Sequence, residues 1–190
     1  MIYAGIDLSL NSPAICYYDD KNGEFKYENC ILHSYIDQKT TKNKIVSTDN
    51  IQISQIPKYS NNIERYHNIS SWVMNIVKNC DLVDLEGFSF GSKGQSVFNI
   101  AENAGILKYQ LWKNRFSFRL PSPKTIKKLA TGNGNAGKDL MFSCFLSETG
   151  VNLYDVLKMK LPKSLKKVPS PISDLIDAYF ITKWLTLNNQ

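Results

Sequence analysis

The sequence predicts an α/β fold, and two observations carry the prediction. Apolar residues Ile2, Ala4 and Ile6 alternate with Tyr, Gly and Asp, which is the period of a β-strand. Further along, apolar residues recur at helical spacing over 63–77, and a buried strand is predicted directly after them at 81–90. A helix followed at once by a buried strand is typical of helices layered on a sheet.

The N-terminal third is predicted to form a meander of strands. Two further β-rich runs at 14–18 and 25–32 follow the first strand, and Asp19–Gly23 supplies the turn between them. Residues 33–60 are instead polar, with only a weak alternation of isoleucines. We interpret this segment as an excursion from the fold with room for one short strand.

The C-terminal half is predicted to be mainly helical. Small residues at Ala101, Ala104 and Gly105 would let another element approach one of these helices closely. Helices are predicted at 96–113, from Pro121 into a short basic segment, at 138–148, and from the SPISD sequence to about Leu187, with a strand at 116–120 and a Gly/Asn turn at 131–137.

Length and composition indicate one folded domain spanning residues 1–190. A chain of 190 residues can bury a substantial core but is short for two ordinary domains. Apolar residues make up 43% and charged residues 21%, which is the balance of a globular protein and excludes a disordered chain.

The charge balance favours a polyanionic partner, because the net charge is +6 and the calculated pI is near 9. No stretch reaches the roughly 18 to 20 consecutive apolar residues that cross a bilayer. The four cysteines are scattered, without zinc-ligand spacing, which predicts buried structural thiols. We therefore expect a soluble, intracellular protein of the cytoplasm, without a membrane partner.

Four acidic residues lie at or near apolar runs, where an unpaired charge is costly to bury. They are Asp7, Glu86, Asp174 and Asp177. The last two are three residues apart on a predicted helix and therefore share one face. Local readings remain open, because Asp174 could serve only as a helix N-cap and Glu86 could be an ordinary acid at a strand end.

Carboxylate oxygens are the ligands that Mg²⁺ and Mn²⁺ prefer. A pair of such ions can activate a water on one side of a phosphate and stabilise the leaving oxygen on the other. Converging carboxylates would therefore favour phosphodiester hydrolysis.

Four motifs together resemble the RuvC-type Holliday-junction resolvases of the ribonuclease-H-like superfamily. They are GIDLSLNSPAI at 5–15, LEGFSF at 85–90, IKKLATGNGNAGK at 126–138 and SDLIDAYFI at 173–181. Their order and spacing match from end to end, apart from the excursion at 33–60. That excursion is longer than in bacterial resolvases and favours a viral or organellar branch, for which the host cytoplasm would be the location.

The resemblance implies a fold and an activity. The fold is a ribonuclease-H-like mixed five-stranded sheet flanked by helices. The activity is that of a magnesium-dependent, structure-selective endonuclease that resolves Holliday junctions and other branched DNA. Paired hydrolysis would leave 5'-phosphate and 3'-hydroxyl ends. A homodimer is implied as well, with the helix at 96–113 as its interface, since a two-fold substrate favours a two-fold enzyme.

The resemblance also assigns roles to individual residues. The family places one acid on the first strand, one on the fourth strand and two on the last helix, and all four positions are filled here. The implied catalytic residues are Asp7, Glu86, Asp174, Asp177 and Lys138, with the four acids holding two Mg²⁺ ions for which Mn²⁺ would substitute. The implied DNA-contacting residues are Lys127, Lys128, Lys138, Phe88 and Phe90.

Two other functions use the same features. A ribonuclease H would share the acids and the metal but cut the RNA strand of a hybrid. A junction-binding module without catalysis would be expected to lack one of the acids. The TGNGNAG turn at 131–137 is not a nucleotide loop, because it lacks the GKS/T ending and does not directly follow a strand, so no nucleotide cofactor is expected.

Overall fold

A computed structural model of the protein describes residues 1–37, 47–87, 96–162 and 167–189. The strands are β1 (Ile2–Asp7), β2 (Ala14–Asp19), β3 (Cys30–Asp37), β4 (Ile51–Ile56), β5 (Leu82–Leu85) and β6 (Phe118–Arg119). The helices are α1 (Asn62–Val77), α2 (Ser96–Lys113), α3 (Pro123–Thr131), α4 (Lys138–Thr149), α5 (Leu153–Val156) and α6 (Ile172–Leu187).

The described strands form one mixed sheet in the order β4-β3-β2-β1-β5-β6. The first three strands are an antiparallel meander, whereas β4 pairs with β3, β5 with β1 and β6 with β5 in parallel. Consequently β1, β4 and β5 all end at the same edge of the sheet. The residues that follow these strands therefore lie close together at this common edge.

Helices cover both faces of the sheet, because successive strand side chains point to opposite sides. Ala4, Ile6, Val83 and Leu85 pack against α1 and α2. Tyr3 and the alternate residues of β2 pack on the other face, against α3, α4, α5 and α6. Gly5 and Asp7 lie in phase with Tyr3, so the end of β1 turns its carboxylate toward α6.

The predicted mixed α/β sheet is confirmed, but it has six strands where the resemblance implied five. The added strand is β4, which the polar excursion contributes at the edge of the sheet. It pairs there because Ile51 and Ile56 are buried while the residues between them are exposed or half-buried.

One strand boundary was wrong. The run predicted at 25–32 belongs mainly to a turn, and β3 extends instead from Cys30 to Asp37. Its second half was assigned to the excursion because it contains polar residues, yet Ser34 and Asp37 are fully or almost fully buried. A polar side chain that is buried within a strand hides the apolar pattern of that strand.

The helix ends agree with the local sequence signals. Ser122 caps α3 by accepting a hydrogen bond from the Thr125 amide, and Pro123 occupies the first turn. The helix ends at Gly132, whose φ of 77° is the left-handed conformation that favours glycine. The basic helix and the turn after it therefore form as predicted.

All four cysteines are free; Cys16, Cys30 and Cys80 are buried as predicted, whereas Cys144 is half-buried. Among the helices in the described ranges, none is long and apolar enough to cross a membrane.

Gly5 allows α6 to cross directly over the middle of β1. A Cβ atom at this position would lie 2.5 Å from the Thr182 amide nitrogen and 2.9 Å from the Ala178 carbonyl oxygen. Both are backbone atoms of α6, which cannot move aside as a flexible side chain can. The Thr182 hydroxyl fastens the crossing by donating to the Cys16 carbonyl at 3.0 Å. The helix is thereby held against the sheet along the line that leads to Asp7.

We predict that Gly5→Ala lowers the free energy of unfolding by about 1 to 3 kcal/mol, because the added methyl overpacks this backbone contact. Equilibrium denaturation measures the change. Gly105→Ala is the matched control, since nothing lies within 4 Å of a Cβ there, and it should be neutral or raise stability by roughly 0.5 to 1 kcal/mol. If Gly5→Ala had the same midpoint denaturant concentration as the wild type, the close crossing would be contradicted.

Candidate active site

The structure brings the four predicted acids to one edge of the sheet. Asp7 is the last residue of β1, and Glu86 directly follows β5, the strand that pairs with β1 in parallel. The Glu86 amide donates to the Ile6 carbonyl at 2.9 Å, so the backbone places the two acids side by side. In the resemblance Glu86 belonged to a fourth strand; here it follows β5 because β4 is an addition.

The other two acids come from the first two turns of α6. Asp174 is almost completely buried and Asp177 is half-buried. The helix runs antiparallel to β1, and its crossing over Gly5 brings its N-terminal turns above Asp7. Asp174 is not the helix N-cap, because Pro171 occupies that position and no side chain caps the helix there.

The pKa of Asp7 responds to burial and to the charges of the other three acids. Burial raises the pKa of Asp7 well above its usual range, and the charges of Asp174, Glu86 and Asp177 raise it further in that order. The positive charge of Lys138 opposes the rise. A carboxylate surrounded by three others is disfavoured in its charged form unless a cation joins them.

Two more of the acids respond in the same direction. Burial raises the pKa of Glu86 to about 7, with Lys127 opposing the rise and Asp174 adding to it. Burial raises the pKa of Asp177 to about 8, and the nearby charges of Glu86 and Asp174 contribute as well. Perturbed groups that cluster in this way are typical of functional sites.

Two other buried acids show what a purely structural carboxylate looks like here. Asp84 is fully buried and pairs with Arg119 through two hydrogen bonds of 3.0 and 3.1 Å. Asp37 is 4% exposed and contacts Arg65 at 3.1 Å. Among the described residues, no Lys or Arg lies within salt-bridge distance of the four acids of the site. Lys127 and Lys138 act on these acids from a greater distance, so the negative charge of the site is only partly compensated by the described residues.

The carboxylate of Asp174 is bound through both of its oxygens. Ser12, in the loop after β1, donates its hydroxyl hydrogen to Oδ2, and Ser173 donates to Oδ1 at 3.1 Å. The Nζ of Lys138 in turn donates to the Ser173 hydroxyl at 3.0 Å. Lys138 thus reaches the site through a serine, without contacting a carboxylate.

The structure places the predicted lysines differently. Lys127 is half-buried on α3 and acts on the pKa of Glu86 and Asp177, whereas its neighbour Lys128 is exposed. Phe88 and Phe90 lie outside the described residues. All five predicted DNA contacts remain predictions.

Ser12 and Ser173 were not singled out from the sequence. Serines are common in loops and at helix starts, so a hydroxyl has no signal of its own until its partner is known. The only available hint was position, since one serine follows the first acid within the same loop and the other directly precedes Asp174.

The donor set fits a hard divalent cation. The site has four carboxylates and a surplus of negative charge, and hard oxygen ligands of this kind suit Mg²⁺ or Mn²⁺. Within the described ranges, no three acidic, histidine or cysteine side chains lie close enough to form a ready-made metal cage. The carboxylates would therefore have to draw together around an ion.

Comparison with known proteins agrees with this geometry. No family model matches the chain. The sequence is 28% identical, over 123 residues, to the crossover junction endodeoxyribonuclease RuvC of Brachyspira hyodysenteriae. The aligned region covers 64% of this chain and 75% of that relative.

Two solved structures share the fold along nearly the whole chain. The structure of Thermus thermophilus RuvC superposes with a TM-score of 0.55 at 14% identity, covering 99% of this chain and 96% of that one. T. thermophilus RuvC in complex with a Holliday junction substrate gives a TM-score of 0.61 at 15% identity, with coverages of 98% and 94%. The chain therefore has the RuvC fold over nearly its whole length and is similar in sequence to a curated RuvC.

Proposed function

We propose that the chain is a metal-dependent endonuclease that resolves four-way DNA junctions. It would hydrolyse one phosphodiester in each of two strands and leave 5'-phosphate and 3'-hydroxyl ends. The observation that carries the proposal is the cluster of four acids at the common edge of β1 and β5, within a RuvC-like fold, where none of them forms an ion pair with a described lysine or arginine.

The four acids would hold the metal, with Asp7 central because the other three all act on its pKa. Two Mg²⁺ ions, replaceable by Mn²⁺, would supply Lewis acidity toward the scissile phosphate and lower the pKa of a bound water. The protein contributes position: β1 and β5 set one pair of carboxylates, and α6 sets the other.

The lysines beside the acids would bind the phosphate that is cut. Lys127 and Lys138 both oppose the rise in the pKa of Glu86, so their positive charges act within the site. We assign Lys138 to the scissile phosphate, since Ser173 holds its ammonium next to Asp174. The exposed Lys128 would contact the DNA backbone outside the site, where phosphate contacts position the substrate.

A four-way junction is the substrate we favour over an RNA/DNA hybrid. The RuvC of T. thermophilus was solved in complex with a Holliday junction substrate, and this chain shares its fold over 98% of its length. All four acids are present, which argues against a module that binds junctions without cutting them.

We predict that Asp7→Asn lowers the rate of junction cleavage with Mg²⁺ by at least about 100-fold, because charge stabilisation by a metal is worth several kcal/mol. Cut sites on each strand of a labelled four-way junction, a duplex and an RNA/DNA hybrid are mapped on gels. Asp155→Asn, an exposed acid outside the site, is the control and should cut as the wild type does. Equal cleavage by Asp7→Asn, or a preference for the hybrid, would reject the proposal.

We also predict that Asp177→Asn stabilises the metal-free protein at neutral pH. The pKa of Asp177 in the fold, about 8, lies above its usual value, so its charged form weakens the folded state as the pH rises toward 8. An uncharged amide removes this cost and should raise Tm in EDTA by roughly 2 to 4 °C per kcal/mol gained.

Differential scanning fluorimetry measures both arms of this prediction. Mn²⁺ should raise the Tm of the wild type and raise that of Asp177→Asn less, while Asp155→Asn behaves as the wild type in each condition. A lower Tm of Asp177→Asn in EDTA would show that the carboxylate stabilises the fold and is not held for a ligand.

A homodimer through α2 completes the proposal, because paired incision of a two-fold junction needs two active sites. Phe98, Tyr109 and Trp112 on this helix are 69%, 54% and 69% exposed. Ala101 and Gly105 are exposed as well, in helical phase with these aromatic residues. Of the small-residue patch, Ala104 is the exception: it is buried in the core against α1 and is not available to a partner.

We predict that Trp112→Glu converts a dimer into a monomer, since a charge would be buried at the centre of an apolar interface. Sedimentation velocity measures the mass. Leu161→Glu, which places the same charge at another exposed apolar position, should leave the dimer intact. A wild-type protein that sediments as a monomer, or a Trp112→Glu variant that remains dimeric, would remove α2 as the interface.

A further inference from the structure

The loop between β1 and β2 is anchored at several points. The Arg65 side chain on α1 donates to the Leu10 carbonyl at 2.8 Å and to the Asn11 Oδ1 at 2.7 Å. On the other side of the loop, the amide of Asp37 donates to the Asn11 carbonyl at 2.9 Å. A loop bound from α1 and β3 at once has little freedom to move.

Ser12 is the residue that this anchored loop presents to the site. It is 2% exposed, and its amide donates to the Ser9 hydroxyl at 3.2 Å. Its own hydroxyl donates to Asp174 across 162 residues of sequence. A buried hydroxyl on an immobile loop is a fixed hydrogen-bond donor, and its acceptor is one of the four acids.

We propose that Ser12 is a positioning residue that, together with Ser173, orients the Asp174 carboxylate for metal binding. The inference rests on the proposed function and concerns how the site is assembled. Each carboxylate oxygen has two lone pairs. One serine hydroxyl on each oxygen leaves one lone pair per oxygen for a cation. The two hydrogen bonds also prevent the carboxylate from rotating about the Cβ–Cγ bond of Asp174.

The second serine links this orientation to Lys138. Ser173 accepts a hydrogen bond from the Lys138 ammonium and donates its own hydrogen to Asp174. The three groups therefore form a hydrogen-bonded chain, and the Ser173 hydroxyl fixes the positions of both the lysine and the carboxylate. Residues that orient a metal ligand commonly account for about 10- to 100-fold in metal affinity or activity.

The test measures Mn²⁺ binding to the protein without DNA, and the electron paramagnetic resonance signal of free Mn²⁺ reports the unbound fraction. Ser12→Ala should raise the Kd for Mn²⁺ by about 10- to 100-fold. Ser12→Thr keeps the hydroxyl and should return the Kd to within a few-fold of the wild type. Ser173→Ala acts on the other oxygen of Asp174 and should weaken binding in the same direction, which keeps the test valid if Ser12→Ala fails to fold.

Ser70→Ala is the matched control. Ser70 is 3% exposed and its hydroxyl has no hydrogen-bond partner among the described residues, so its loss removes a buried hydroxyl without removing a bond. Its Mn²⁺ affinity should equal that of the wild type. In cleavage assays, Ser12→Ala should lower kcat at limiting Mn²⁺, regain it at high Mn²⁺, and leave the KM for the junction unchanged.

The outcomes separate this inference from the proposed function. Wild-type protein that neither binds Mn²⁺ nor cuts junctions would reject the function itself. If the wild type binds Mn²⁺ and cuts junctions, two results would reject only the positioning role. One is a Ser12→Ala variant with the Kd of the wild type, and the other is a Ser12→Thr variant that binds Mn²⁺ as weakly as Ser12→Ala.

Discussion

The contact between α6 and β1 is the constraint on which the site depends. Two of the four acids belong to a strand edge and two to a helix that begins 165 residues after β1 ends. They meet because Gly5 has no side chain and the backbone of α6 can lie directly on it. A larger residue would lift the helix from the sheet and separate Asp174 and Asp177 from Asp7.

Charge compensation distinguishes the two kinds of buried acid in this molecule. Asp37 and Asp84 each have an arginine, so their burial is stabilised within the protein. In the site, burial and neighbours of the same sign raise the pKa values of Asp7 and Asp177, which weakens the metal-free fold. This is the expected exchange of stability for function, because a site that is neutralised in advance would have little affinity for a cation.

The two structural ion pairs also serve the site from a distance. Arg65 pairs with Asp37 and also binds the loop that carries Ser12. The Arg65–Asp37 ion pair therefore helps to hold the Ser12 hydroxyl in place. Arg119 joins Asp84 to α6 by lying 4.7 Å from the centre of the Trp184 ring. Together these contacts hold the loop and the helix whose side chains converge at Asp174.

The sequence was sufficient for most of the fold and for the four acids. Apolar periodicity and capping signals are local, so the boundaries of α2 agree with the prediction and those of α3 nearly so. Each acid alone was weak evidence, and the order and spacing of the four motifs that resemble one family selected them together. A short strand was predicted in the excursion and β4 is that strand, but its pairing with β3 and the true extent of β3 were not recovered, since they depend on burial of polar residues that no local pattern reveals.

The sequence by itself determined which residues carry charge into the core, the order in which the chain supplies them, and the family that they resemble. The tertiary structure decided which of the buried acids are neutralised and which are not. It also brought the Ser12 and Ser173 hydroxyls to Asp174, because a hydroxyl acts only through the group it touches. Arg65 beside Asp37 and Arg119 beside Asp84 are contacts that only the folded chain reveals.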